Sequence, residues 1–148
     1  IRHNVGNKEQ LLEHFVDDFL AQSRQEIDQW FNGLADDAPV QSLIEQLFDP
    51  AWSDPGFIQV SNALIQAAGV RPELSQILQH WTTEFIERIG ALIANQYPTS
   101  SDADRSMVAS GIAAMYFSTE LWVVQQHADD YWANLKAASL ILLQSLKQ

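Results

Sequence analysis

Apolar side chains recur every three or four residues along most of this chain, and no strand-like alternation of useful length is present. Such spacing places the apolar side chains on one face of an α-helix. The longest stretch spans about residues 8–34, with polar residues mainly on the opposite face. Its apolar residues are Leu11, Leu12, Phe15, Val16, Phe19, Leu20, Ile27, Trp30 and Phe31. The sequence therefore predicts an all-α fold.

Proline, glycine and capping residues divide this pattern into separate helices. Proline suits the first turn of a helix, because the N–H that it lacks would have no partner there. Pro39 and Pro55 mark two such starts, and Gly33 and Gly69 mark two ends. After the first helix, the predicted helices span about residues 39–48, 55–68, 72–97, 102–127 and 131–146. We expect about six helices in an antiparallel bundle.

The charge balance limits the partners of the chain. Eight Lys and Arg residues stand against 19 Asp and Glu residues, for a net charge of −11 over 148 residues. Such a surface repels the phosphate backbone, which excludes nucleic-acid binding over most of the domain. The local exception is the amino-terminal end, where the basic residues Arg2, His3 and Lys8 cluster and are candidates for contacting DNA; a chance clustering is the alternative.

Cysteine usage and hydropathy indicate where the protein functions. The absence of cysteine excludes disulfides and thiolate metal sites, and it is compatible with a reducing cytoplasm. Residues 107–124 are mostly apolar, but they include Glu120 and several small residues, and the residues before them include Asp102, Asp104 and only one basic residue, Arg105. A helix buried in a globular protein explains them better than a membrane span. We expect a cytoplasmic protein with no membrane partner.

The last predicted helix has two apolar faces rather than one. Burial within a single chain requires one face, so the second is available to a partner. The two stripes are Leu135, Ala138, Leu142 and Leu146, and Ala133, Ala137, Leu140 and Leu143. We expect a homodimer in which the last two helices of each chain form a four-helix bundle. A monomer with a thick core is the alternative.

The sequence lacks the usual signatures of catalysis. It has no cysteine nucleophile, no glycine-rich phosphate loop and no Gly-x-Ser-x-Gly turn. His80 and Glu84, like His14 and Asp18, are four residues apart on a helix, but neither pair has an identifiable third metal ligand. We therefore expect no catalytic residue, no bound metal and no cofactor.

Aromatic residues supply the strongest indication of a binding site. Five Trp, seven Phe and three Tyr residues are many for a domain of this size. Most belong to the core, but short helices joined by Trp-bearing turns leave gaps of the kind that bind small molecules. The predicted apolar lining is Phe48, Trp52, Trp81, Phe85 and Tyr116, and the predicted polar contacts are Asn62, His80 and Glu120.

The first dozen residues are predicted to join two helices. Gly6 follows Val5 at the end of one helical segment, and glycine can adopt the left-handed conformation that often ends a helix. Asn7 is then a suitable N-cap for the helix that contains Lys8. A folded domain rarely begins within a helix, so we expect further residues before Ile1.

This junction resembles the end of the helix-turn-helix in TetR-type bacterial transcriptional regulators. Ile1 and Val5 match apolar positions of the family motif, and Lys8 matches the lysine that contacts a DNA phosphate in the family. Arg2 and Asn4 stand where the family favours Tyr and His, whereas the apolar packing positions are retained. The motif covers about a dozen residues, and elsewhere the resemblance is limited to the helical layout.

The resemblance implies a ligand-responsive repressor. Residues 1–7 would be the tail of the helix-turn-helix domain and its turn, and residues 8–148 the effector-binding and dimerisation domain. A small apolar or amphipathic effector would control binding of operator DNA by residues upstream of Ile1. Two alternatives stay open: a helical protein–protein interaction module without a small ligand, and a small-molecule enzyme or metal carrier.

Overall fold

A computed structural model describes residues 2–52, 55–124 and 129–146, except for the side chains of residues 2–7, 9, 52, 55, 57, 120–124 and 129. Over these residues the fold is all-α, with six α-helices, one short 3-10 helix and no strand, which confirms the predicted fold class. The α-helices are α1 (Arg2–Asn32), α2 (Pro39–Leu47), α3 (Pro55–Ala68), α4 (Pro72–Gln96), α5 (Asp102–Val124) and α6 (Asp129–Gln144). The 3-10 helix is Pro50–Trp52.

The chain divides into two compact units, residues 1–33 and 34–148. The first unit contains α1, whose last residue is Asn32, and the predicted stop at Gly33 directly follows it. Its buried residues are spaced as one helical face: Val16, Leu20, Ser23 and Ile27. Leu11 and Phe15 were predicted on this face, but they are 68% and 49% exposed.

Helix α1 is continuous through Val5, Gly6 and Asn7, so the turn predicted there is wrong. Glycine costs only about 1 kcal/mol relative to alanine inside a helix, and asparagine costs less. No proline occurs between Arg2 and Asn32, so nothing in this segment forces the helix to end. The boundary between the two compact units follows Gly33. The assignment of residues 1–7 to a DNA-binding domain stays a prediction.

Helices α4 and α5 form the centre of the second unit. They pack against each other, and α3 contacts both of them. Helix α2 packs against α4, and α6 packs against α5. Helices α2 and α6 also contact each other. Burial of each large aliphatic side chain in this core contributes roughly 1.5–3 kcal/mol. Its fully buried aliphatic residues include Val40, Leu43, Ile44, Ile89, Ile93, Val108, Ile112 and Leu143.

The predicted helix starts at Pro39, Pro55 and Pro72 are confirmed. Ser101 caps α5, because its Oγ accepts a hydrogen bond from the Asp104 N–H at 3.1 Å. These starts set the register of α2, α4 and α5 and therefore the positions of the aromatic side chains along each helix.

Helices α5 and α6 approach each other closely at Gly111. A Cβ atom added there would lie 2.9 Å from Cδ1 of Leu142 on α6. Nearby, the buried Ser139 hydroxyl of α6 lies 3.9 Å from the sulfur of Met115 on α5. The absence of a side chain at Gly111 therefore permits the packing of the last two helices.

Helix α5 contains the whole apolar stretch considered as a membrane span. None of the helices within the described ranges has both the length and the apolar character that crossing a membrane requires.

Candidate functional site

Five rings from three helices form one aromatic cluster: Phe48, Trp81, Phe85, Tyr116 and Phe117. Phe48 caps the carboxyl end of α2, and Trp81 and Phe85 are four residues apart on α4. Residues at this separation lie on the same side of a helix. Tyr116 and Phe117 are consecutive on α5, the helix that packs against α4. Packing of α2, α4 and α5 therefore brings the rings together.

Phe85 occupies the centre of the aromatic cluster. Its ring centroid lies 5.9 Å from Trp81, 5.9 Å from Tyr116 and 5.6 Å from Phe117. Trp81 and Phe85 are stacked at 10°, whereas Phe48 meets the Tyr116 ring edge-on at 80° and a distance of 6.5 Å. Aromatic pairs in these geometries contribute about 0.5–1.5 kcal/mol each beyond their burial.

Burial is uneven across the aromatic cluster. Phe85 and Phe48 are only 2% and 3% exposed, whereas Trp81, Tyr116 and Phe117 are half-buried. The half-buried rings are the part of the cluster that reaches the surface, and Phe85 and Phe48 are its interior.

One polar atom of the aromatic cluster has no hydrogen-bond partner. Nε1 of Trp81 is buried, and no group among the described residues accepts a hydrogen bond from it. A buried donor left unsatisfied costs about 1–3 kcal/mol. Ser23 Oγ and Gln46 Oε1 are also buried and find no partner among the residues that the structure describes, but neither belongs to the aromatic cluster. The Trp81 N–H is therefore a donor that an incoming group can satisfy.

Two hydroxyls near the aromatic cluster are already engaged. Thr119 Oγ1 donates to the carbonyl oxygen of Tyr116 at 2.6 Å, and Ser118 Oγ donates to that of Met115 at 2.6 Å. Both bonds run back along α5, a common arrangement for Ser and Thr inside helices. These donations are therefore directed to the helix backbone rather than to a ligand.

Four further residues were predicted for the site: Trp52, Asn62, His80 and Glu120. The His80 side chain is 70% exposed, and its Nε2 lies 2.9 Å from Oε1 of Glu84 in an i,i+4 surface pair. Asn62 is half-buried on α3. The side chains of Trp52 and Glu120 lie outside the described residues. For these four residues a role in ligand binding stays a prediction.

Phe117 belongs to the aromatic cluster but was not among the predicted site residues. Helical periodicity rotates consecutive residues by about 100°, which directs Tyr116 and Phe117 to different sides of α5. Both rings nevertheless reach Phe85, because aromatic side chains are long enough to converge on one neighbour. The adjacency of Tyr116 and Phe117 in the sequence was the signal that could have added Phe117 to the predicted site.

A groove of about 230 Å³ lies between α4 and α5. It contains no ring of the aromatic cluster, and its residues are Ile86, Glu87, Gly90, Asp102, Arg105, Ser106 and Ala109. Nη2 of Arg105 donates to the carbonyl oxygen of Ser100 at 2.6 Å and lies 3.3 Å from Oδ1 of Asp102. The Arg105 guanidinium therefore stabilises the first turn of α5 and the residue before it.

The residues predicted to contact DNA lie on α1. Lys8 is exposed, and the side chains of Arg2 and His3 lie outside the described residues. Within the part of the chain that the structure describes, no group of three or more His, Asp or Glu residues is arranged to hold a metal ion.

The chain matches no protein-family model, no curated protein and no solved structure.

Proposed function

We propose that this chain is the effector-binding and dimerisation domain of a ligand-responsive transcriptional regulator, with the aromatic cluster as its effector site. The observation that carries the proposal is the buried, unpartnered Nε1 of Trp81 within the cluster. A donor of this kind among aromatic rings fits a pocket that binds an apolar or amphipathic small molecule with a few directed polar contacts. The proposal assigns the chain no catalytic role and no cofactor.

Regulation follows from the position of the aromatic cluster between helices. Its rings come from α2, α4 and α5, so a molecule that enters must change how these helices pack. A ligand shifts such an equilibrium only by the difference between its affinities for the two arrangements. Couplings of this type are typically about 1–3 kcal/mol.

The transcriptional part of the proposal rests on the resemblance of the amino-terminal residues to TetR-type regulators. Because α1 is continuous through residues 5–7, the turn is no longer part of that resemblance. Lys8 matches the family's lysine, and its side chain is described and exposed. Operator DNA would be bound by a helix-turn-helix on the same polypeptide, in the cytoplasm. Intact mass and amino-terminal sequencing of the protein from its source cell test this part. A native start near Ile1 would rule it out.

The exposed side of α5 and α6 supports dimerisation. Met107 and Ile141 are 63% and 67% exposed, and the exposed small residues Ser110, Ala114 and Ala137 are on the same two helices. These five residues, the α5–α6 face, carry no charge although the chain has a net charge of −11. A second copy meets least repulsion at an uncharged surface. The α5–α6 face is therefore the proposed homodimer interface.

The same exposed face favours a second candidate function, a helical module that binds another protein and no small ligand. Light scattering separates the two candidates. Self-association at low micromolar concentration supports the regulator, and a stable monomer supports the interaction module.

The effector site is tested with N-phenyl-1-naphthylamine, an uncharged probe whose fluorescence rises in apolar surroundings. We expect saturable binding with one site per chain, weakened by Trp81→Ala and by Phe85→Ala. Val70→Ala is the matched control, because Val70 is an exposed apolar residue outside the aromatic cluster. Unchanged binding by both cluster variants, with helical content retained in circular dichroism, would show that this site is wrong.

A further inference from the structure

The aromatic cluster differs from an ordinary apolar core at the Trp81 indole. An indole N–H donates a hydrogen bond and accepts none. This one is buried, and within the described ranges no acceptor reaches it. A ligand that brings its own acceptor therefore gains a hydrogen bond that a hydrocarbon of the same shape cannot form.

The rings around this N–H favour a planar ligand. Trp81 and Phe85 are nearly parallel, with 10° between their planes, and Phe117 lies 5.9 Å from Trp81 on the other helix. Flat aromatic molecules extend such an arrangement by offset stacking or edge-to-face contact. A branched aliphatic molecule lacks this complementarity.

The charges near Trp81 favour an uncharged ligand. Glu84, which directly precedes Phe85, presents a carboxylate that is paired with His80. The five residues of the aromatic cluster include no cation, and the chain as a whole is strongly acidic. A carboxylate or phosphate buried there would need a positive partner to compensate for lost hydration. A carbonyl oxygen needs only the N–H.

We propose that the aromatic cluster selects planar, uncharged aromatic molecules that carry a carbonyl group, and that Nε1 of Trp81 donates a hydrogen bond to the carbonyl oxygen. This inference rests on the proposed effector-binding function and specifies its ligand class. Trp81 is then the residue that determines specificity, while Phe85 and Phe117 supply apolar contact without discrimination.

Two probes isolate the carbonyl group. 2-Acetylnaphthalene and 2-ethylnaphthalene have the same carbon skeleton and differ by a C=O in place of a CH₂. Titration of the ¹⁵N-labelled chain gives both affinities from its backbone amide signals, which Trp81→Phe retains, and the indole N–H signals report on Trp81 itself. The chain has five tryptophans, and the Trp81→Phe variant assigns the Trp81 signal by its loss.

The wild-type chain should favour the ketone, and Trp81→Phe should reduce this preference about fivefold, the effect of one neutral hydrogen bond. Comparing the preference between variants cancels the different hydration of the two probes. The ketone should also move the wild-type Trp81 N–H proton downfield, a result that does not depend on any variant. Trp132→Phe, which removes a different indole N–H, on α6, should retain the preference.

The possible failures are distinguishable. If both probes bind but the preference is equal in the wild type and in Trp81→Phe, the carbonyl inference is wrong and the effector site stands. If neither probe shifts the Trp81 signal up to its solubility limit, both the inference and the proposed effector site are contradicted.

Discussion

The indole of Trp81 lies almost parallel to the ring of Phe85, with 10° between the ring planes and 5.9 Å between the centroids. Their four-residue separation on α4 places both rings on one side of that helix. Phe85 also contacts Tyr116 and Phe117 on α5. The central ring of the proposed site is therefore also a packing residue between two helices.

Replacement of Phe85 should be among the most destabilising changes in the second unit. Phe85→Ala removes a side chain that is 2% exposed, and truncations of this kind cost about 3–5 kcal/mol of unfolding free energy. Phe85→Leu retains most of the volume and should cost roughly 1.5 kcal/mol or less. Urea denaturation followed by circular dichroism measures both. Phe15→Ala, at a half-exposed position of α1, is the control and should have a small effect.

The close approach of α5 and α6 predicts that alanine substitution at two glycines has different effects on stability. Gly90→Ala should stabilise the chain by up to about 1 kcal/mol, because alanine favours helix and the nearest neighbouring atom, Cβ of Ala109, is 4.0 Å away. Gly111→Ala should not stabilise the chain, because the new Cβ would lie 2.9 Å from Leu142 Cδ1 and this close contact offsets the higher helix preference of alanine. In a Leu142→Ala background the obstruction is absent, so Gly111→Ala should become stabilising. Additive effects of the two substitutions would contradict the contact.

A side-chain amide connects α2 to the end of α4. Gln96 Oε1 accepts the Val40 N–H at 3.0 Å, and Gln96 Nε2 donates to Gln41 Oε1 at 2.6 Å. Ala38 provides no side-chain cap for α2, so Gln96 satisfies one of the free N–H groups of its first turn. Gln96→Ala should lower the unfolding free energy by about 1–2 kcal/mol. Asn95→Ala, at the exposed preceding position, should be nearly neutral in the same denaturation measurement.

The Gln96 contact illustrates what sequence patterns leave out. Local signals were sufficient for the starts of α2, α3 and α4 at proline, because proline restricts its own backbone. A hydrogen bond between residues 56 positions apart depends on how two helices pack, which local spacing does not specify. The continuity of α1 through Gly6 shows a related limit, since a weak helix former ends a helix only when no neighbouring preference outweighs it.

The aromatic cluster was predictable in part. Trp81 and Phe85 share a side of α4 by their spacing alone, whereas their meeting with Phe48 and Tyr116 required the packing of three helices. The missing partner of the Trp81 N–H could not be predicted, because it depends on every group within reach of one atom. That these residues bind an effector stays a prediction.

A charge introduced on the α5–α6 face should separate the proposed dimer. Ile141 is 67% exposed on α6, and a glutamate there would place two like charges in a desolvated interface next to the symmetry-related copy. We expect light scattering to give twice the 16.7 kDa chain mass for the wild type and the single mass for Ile141→Glu. Because Ile141 is exposed in the single chain, the substitution should leave its helical content unchanged.

Ile65→Glu is the matched control for this experiment. Ile65 is 55% exposed on α3, outside the α5–α6 face, and the substitution makes the same change in charge and side-chain volume. If both variants remain dimeric, the interface lies elsewhere. If both become monomeric, net charge rather than this face controls association, because adding a negative charge to an acidic chain increases its self-repulsion wherever it is placed. Loss of the dimer in Ile141→Glu alone identifies α6 as part of the interface and connects subunit contact to α5, the helix that carries Tyr116 and Phe117.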